Sequence, residues 1–299
     1  MMSNRFCDTI ILMNFIKHKI KRLYYEIRNL EPIWKFLNRG EIGEWKKENT
    51  KLDEEQKRIV GELSQNGIAF SNVEKLGFSD LFLLLQKYTN EKLQSQEIIN
   101  EIEFKKNSPK GKKGEKTFFI YLFGGDKGMG KIDRENPFLK FSLSKKITDI
   151  AGGYLKLKPV FNSFYLMSTI IVSKDSQEYL SQRWHRDPED KKIVKVFMYL
   201  NDVDGGAGPF TYIKGSQYGG KWRHLFPQRP PAGSYPPAGG VEKVISESDI
   251  KICTAPAGTI IFCDTSGLHK GGFSTEKSRL MSMSCFVSSA SKYPKNYDL

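Results

Sequence analysis
In Trp184-His185-Arg186-Asp187 an imidazole and a carboxylate stand two residues apart; His269 follows 82 residues after Asp187, and Arg279 ten residues after that. Two imidazoles and one carboxylate can occupy one face of an octahedral Fe(II), leaving three positions for O2 and a bidentate co-substrate, and this is the set that non-heme oxygenases use. Arg279 has a matching task. A guanidinium is a rigid fork of donors that fits a carboxylate bidentately, so it can hold the far end of a dicarboxylic acid whose keto-acid end chelates the metal. The expected metal and catalytic residues are therefore His185, Asp187 and His269, with Arg279 as the anchor of the co-substrate.

Such a set needs strands to carry it. Residues i and i+2 of an extended chain project to the same side, so His185 and Asp187 can reach one ion from a strand end, whereas a helix would turn them apart. The run from Ile193 to Leu200 is rich in β-branched and aromatic residues and closes on Asn201, Asp202, Gly205 and Gly206, a strand followed by a turn. A second strand is expected over Gly258 to Cys263, delivering the loop from Asp264 to His269. From Arg279 to Val287 alternation puts Arg279, Met281, Met283, Cys285 and Val287 on one inward face and serines on the other. Gln182, Lys195 and Tyr199 can place polar groups toward the same cavity and are candidates for binding co-substrate or substrate. Trp184 alternates away from the ligands and is expected to support the core. Asp264 and Ser266 can orient the His269 imidazole or cap their own loop.

With these residues in place, the chain resembles the phytanoyl-CoA dioxygenase family of Fe(II)- and 2-oxoglutarate-dependent oxygenases. Gln182 to Asp187, then Lys195 to Val203, then Gly208 to Ser216 run in the family's order and resemble its wording. Where members usually read Pro-Gly-Ser-His, this chain has Lys214-Gly215-Ser216-Gln217, a departure that touches no metal ligand. Leu63 to Ala69 resembles the helix, glycine and hydrophobic strand that open such domains, so the likeness covers residues 55 to 290. It implies a mainly β fold with flanking helices (α+β), its core a double-stranded β-helix of the jelly-roll or cupin type. It also implies Fe(II), 2-oxoglutarate and O2 as cofactor and co-substrates, with Arg279 on the distal carboxylate. The implied reaction converts 2-oxoglutarate and O2 to succinate and CO2 while a bound substrate is hydroxylated. Relatives that halogenate lack the carboxylate, so Asp187 favours hydroxylation.

The 299 residues are enough for one large domain and an appendage, read as a basic helical extension over 1–54 and an oxygenase domain over 55–299. Cys7, Cys253, Cys263 and Cys285 lack metal-like or disulfide-framework spacing and read as reduced, mostly buried thiols, which points to the cytoplasm. The apolar patch at 10–14 is too short to span a membrane. Ile20, Leu23, Tyr24, Ile27 and Leu30 recur at helical spacing among Lys17, Lys19, Lys21, Arg22 and Arg28, an amphipathic helix ended by Pro32. It either lies against the core, the ordinary fate of such a stripe, or presents a basic surface to a membrane or partner.

The net charge of +13 attracts phosphate without specific contacts, but no nucleic-acid motif accompanies it, and nucleic acid is not the expected partner. Lys105, Lys106, Lys110, Lys112, Lys113 and Lys116, with Pro109, Gly111 and Gly114, read as an exposed loop, solvated or clamping an anion. Helices are expected over Glu54–Leu63, Ser79–Tyr88 and Ser144–Ala151. Between Phe226 and Gly240, five prolines and three glycines exclude regular helix and leave a long loop, either a cover for the cavity mouth or a surface wrap. His18 and His224 lack a partner at ligand spacing and read as surface or packing residues. The expected substrate is a small organic molecule, an anionic one among the options. The alternatives are a macromolecular or lipid-linked anionic substrate, a catalytically silent metal-binding barrel, or an isomerase or hydrolase using the metal as Lewis acid.

Overall fold
The computed structural model describes residues 16–17, 19–107, 118–124, 135–176, 178, 180–228 and 234–291. Cys7, the patch at 10–14, His18, Lys110, Lys112, Lys113, Lys116, Pro230, Pro231 and Gly233 lie outside these. Six strands form one sheet in the order β1-β7-β4-β9-β3-β2: β1 (Ile68–Asn72), β2 (Phe119–Gly124), β3 (Val160–Thr169), β4 (Val194–Tyr199), β7 (Thr259–Asp264) and β9 (Leu280–Val287). A smaller sheet runs β6-β5-β8 from β5 (Thr211–Ile213), β6 (Ile250–Ile252) and β8 (His269–Lys270). All pairings are antiparallel. The sheets pack as a jelly roll without closing into a barrel.

Alternation along the central strands builds two cores. Phe197, Tyr199, Ile261, Cys263, Met283 and Cys285 face the small sheet and pack with Phe210, Tyr212 and Cys253. Val194, Val196, Met198, Ile260, Phe262 and Phe286 face the opposite way, onto a helical layer. That layer includes α1 (Glu31–Leu37), α2 (Arg39–Glu48), α3 (Glu54–Asn66), α4 (Ser79–Leu93), α5 (Gln96–Asn107), α6 (Pro137–Ser142) and α7 (Lys145–Leu155). The serines of β9 are therefore buried too, and Ser284 shares a 2.6 Å hydrogen bond with Ser142 of α6.

Local signals set the entry into the sheet. Asp53 accepts from the Gln56 amide at 2.8 Å while the Gln56 side chain accepts from the Asp53 amide at 2.9 Å, a capping box that starts α3. Gly67 ends it at φ +75°, where an added Cβ would lie 2.3 Å from the Tyr212 hydroxyl, so only glycine makes this turn into β1.

Two expectations change. Lys105 and Lys106 belong to the last turn of α5, and the Lys105 ammonium donates to the Phe119 carbonyl at 2.8 Å. The stripe over 20–30 does not lie against the core. Tyr25 is buried, but Ile20, Leu23, Tyr24, Ile27 and Leu30 are exposed. Attachment comes further along: the Trp34 indole donates to buried Asp190 at 3.1 Å, and Asn38 accepts from the Ala290 amide at 3.0 Å.

Candidate active site
The triad is assembled by backbone before any metal is considered. The His185 amide donates to the His269 carbonyl at 2.9 Å, the His269 amide returns to His185 at 3.0 Å, and the Asp187 amide reaches Thr265 at 3.0 Å. This antiparallel clasp holds the segment before β4 against the β7–β8 loop and brings the ligand atoms of His185, Asp187 and His269 within 4.8 Å of one another. The His185 Nε2 lies 3.7 Å from one Asp187 oxygen and the His269 Nε2 lies 3.4 Å from the other.

Both imidazoles are oriented in the same way. The Nδ1 of His185 lies 2.8 Å from the Arg183 carbonyl, and that of His269 lies 2.9 Å from the Gly267 carbonyl. A carbonyl can only accept, so each Nδ1 carries the proton and each Nε2 turns a lone pair toward Asp187. Asp264 is not the group that orients His269. Its buried carboxylate accepts from the Tyr154 hydroxyl at 2.6 Å, the Ile193 amide at 3.1 Å and the Ser266 amide at 2.9 Å, which fixes the loop.

Electrostatics favour ligand-ready forms. Burial, then the His269 neighbour, pushes His185 down to about 3, so it is neutral. Burial raises the Asp187 carboxyl, but the Lys195 ammonium, the largest opposing cause, holds it well below the usual carboxylate range. The Lys195 ammonium donates to Asp187 at 2.6 Å and lies 3.7 Å from Glu189; these two carboxylates outweigh the burial that would lower it. Glu189, two residues past Asp187 on the same side, is pushed up by burial and by Asp187.

A cavity of about 280 Å³ opens onto the triad, with Gln182, Lys195 and Arg279 in its lining and walls that include Phe118, Tyr165, Phe197, Phe210 and Met281. Arg279 enters it from the position just before β9, on the side that Met281 and Met283 continue. Its Nη1 donates to the Gly208 carbonyl, while its Nε is buried without a partner among the described residues. Burial lowers the Arg279 pKa. Gln182 is likewise buried with its Oε1 unpartnered. Tyr199 stands apart: its hydroxyl is committed to the Cys253 carbonyl at 2.9 Å within the inter-sheet core. Trp184 packs with Ile213 and Leu268 away from the cavity, and His224 is exposed.

Sequence reasoning missed Arg186, Glu189 and the aromatic wall from β2. Arg186, between the two ligands, points the opposite way and donates to the carbonyls of Ser266 at 2.7 Å, Phe226 at 2.8 Å and Leu225 at 2.9 Å. It joins the His269 loop to the Pro/Gly segment, whose Tyr235 stacks on His185 with centroids 5.8 Å apart. The segment thus covers one ligand while being tied down by the residue beside it. The alternation that puts His185 and Asp187 on one side sends Arg186 to the other, and that was the available signal.

No family model matches the sequence, and no curated protein matches it. Solved structures do. The epimerase SnoN, in complex with Fe3+, alpha ketoglutarate and nogalamycin RO, is 13% identical over 81% of this chain and 87% of its own, with a TM-score of 0.50. EctD from S. alaskensis, with 2-oxoglutarate and 5-hydroxyectoine, is 14% identical over 83% of this chain and 80% of its own, with a TM-score of 0.51. At this identity the likeness is one of fold, and the chain is a double-stranded β-helix with helices on one face of its larger sheet.

Proposed function
We propose that the protein is an Fe(II)- and 2-oxoglutarate-dependent dioxygenase that hydroxylates a small organic molecule, in the manner of the phytanoyl-CoA dioxygenase family. One observation carries this reading: two imidazoles with lone pairs converging on an ionised carboxylate share a cavity with a buried arginine whose Nε lacks a partner. The donor set suits Fe(II) with open positions, and the orphaned guanidinium donor suits a carboxylate. His185, Asp187 and His269 would hold the iron, and Arg279 the distal carboxylate. SnoN with Fe3+ and alpha ketoglutarate, and EctD with 2-oxoglutarate, support the same pair here.

Bound there, iron supplies the redox chemistry by which 2-oxoglutarate, O2 and R–H become succinate, CO2 and R–OH. The chain's residues do the rest. The Arg183 and Gly267 carbonyls keep both Nδ1 atoms protonated, and Lys195 keeps Asp187 ionised. The aromatic walls exclude water, and Gln182 offers an acceptor to a substrate hydroxyl or amide. Lys195 also remains a candidate for contact with the co-substrate, whereas Tyr199 would act only by supporting the wall. A cavity of about 280 Å³ favours a small substrate over a macromolecular one. Residues 55–299 would carry the chemistry, with 1–54 as an extension. The buried free thiols Cys253, Cys263 and Cys285 are in keeping with a cytoplasmic setting.

The test is anaerobic reconstitution with Fe(II) and 2-oxoglutarate, then O2 and a metabolite extract. Succinate should form with a substrate that gains one oxygen atom. Absence of 2-oxoglutarate binding by calorimetry would sink the reading in favour of a silent metal-binding fold, and turnover without O2 would favour Lewis-acid chemistry.

A further inference from the structure
The amino-terminal helices expose what a soluble domain normally buries. Ile16, Ile20, Leu23, Ile27 and Leu30 fall in one stripe along the helical stretch before α1, with Tyr24 beside them, and Phe36 and Leu37 continue the exposure into α1. Exposure runs from 41% at Leu37 to 63% at Ile20 and Phe36. A concentration of this kind marks an interaction surface rather than scattered surface apolars.

The charges around it identify the partner. Lys17, Lys21 and Arg28 interleave with the stripe and have no carboxylate partner among the described residues. A cleft of about 640 Å³ lies between α1, α2 and the end of α7, and Lys35, Arg39, Lys46, Lys156, Lys191 and Lys192 line it against one carboxylate, Glu31. Glu31 is already used by Lys191 and by Lys35 at 3.2 Å. Arg39, Lys46 and Lys156 form no ion pair among the described residues, and Lys192 feels Asp264 and Glu31 without forming an ion pair with either. Stripe and cleft are physically joined: the Arg39 guanidinium, which lines the cleft, sits 4.5 Å from the centre of the exposed Phe36 ring.

A second copy of the chain would bring like charge onto like charge. A surface that combines apolar side chains with unpaired cations is instead complementary to a layer whose headgroups are anionic and whose interior is hydrocarbon. We propose that this face is a docking surface for an anionic membrane, with the apolar stripe entering the headgroup–acyl boundary and the basic cleft taking lipid phosphates. The attachment is peripheral, since no helix among the described residues is long and apolar enough to cross a membrane. It is separate from the chemistry in the cavity, because no described residue lines both the cleft and the cavity.

The full-length protein would be sedimented with vesicles of phosphatidylcholine alone, or with about 30 mol % phosphatidylglycerol, at low salt and at about 1 M salt. Binding is expected to the anionic vesicles only, and to weaken with salt. Leu23→Ser with Ile27→Ser should lower partitioning at least about tenfold, and Arg39→Gln with Lys192→Gln roughly fivefold per charge removed. The circular dichroism of both variants should match that of the parent. No binding to anionic vesicles, equal binding to neutral ones, or indifference to both variants would overturn the proposal. So would a dimer in sedimentation velocity that Leu23→Ser abolishes, which would make the stripe a contact between copies.

Discussion

Asp187 accepts the Lys195 ammonium and lies 3.7 and 3.4 Å from the Nε2 atoms of His185 and His269, so its removal takes away a proposed ligand and leaves the buried Lys195 with Glu189 alone, 3.7 Å away. Asp187→Ala should lower Fe(II) affinity by more than about 100-fold, beyond what loss of an outer partner costs, and abolish succinate formation. In the proposed reading Arg279 acts on the co-substrate. Arg279→Ala should raise the KM for 2-oxoglutarate on the order of 100-fold in the succinate assay, the usual loss when one partner of a desolvated charge pair is truncated. Arg186 touches no ligand side chain but satisfies carbonyls of both segments that frame the site. Arg186→Met leaves them unpaired and should cost about 3 kcal/mol or more in denaturant unfolding, with Fe(II) affinity falling as the clasp loosens. The triad and Arg279 were legible because their types and the alternation beside them point one way. Glu189 carried the same signal, two residues past Asp187, and was passed over, whereas the Phe118 wall was hidden because nothing local in a sequence says which distant segment returns to a cavity.

Of the strands nearest the site, β4 and β7 were readable from the β-branched and aromatic residues along them, and β9 from its alternation of apolar residues with serines. The small sheet was not: its strands of two or three residues are shorter than the span over which a period of two can be recognised. The α6 helix escaped for the same reason, being six residues long and beginning at Pro137. Helical spacing over 20–30 gave the helix but not the direction it faces, because periodicity describes a stripe and not what covers it. The entry element makes a pH prediction. On α3, the Arg58 guanidinium holds Glu55 down at about 2 against burial, and the Ser71 hydroxyl of β1 donates to the same carboxylate at 2.6 Å. A carboxyl depressed on folding contributes stability that is whole above its unfolded value near 4.5 and is lost as pH falls from there toward 2. Glu55→Gln should therefore cost about 1 kcal/mol at neutral pH, discounted for the partly exposed Arg58, and nothing near pH 2 in chemical denaturation.

At the scale of the whole molecule, a helical layer, a six-stranded sheet and a three-stranded sheet form a frame in which the ligand atoms already stand together. Fe(II) with 2-oxoglutarate should then raise the midpoint of thermal unfolding by mass action, by about 2.7 kcal/mol at a hundredfold excess over Kd. That corresponds to a shift of roughly 5–10 °C in anaerobic calorimetry, reversed by chelation and absent in Asp187→Ala. The jelly roll was expected from the resemblance to a known oxygenase family and not from periodicity, whereas the exposed amino-terminal face depends on what the remainder of the chain leaves uncovered. The reciprocal amide bonds between His185 and His269 have a further bearing on how the protein matures. They join positions far apart in the polypeptide, so the closure entropy of a long loop is met by folding and not by the ion. Iron would then load onto a scaffold that the backbone bonds have already closed, so metal removed by chelation should be restored without a cycle of denaturation, which circular dichroism across one strip-and-reload cycle would check.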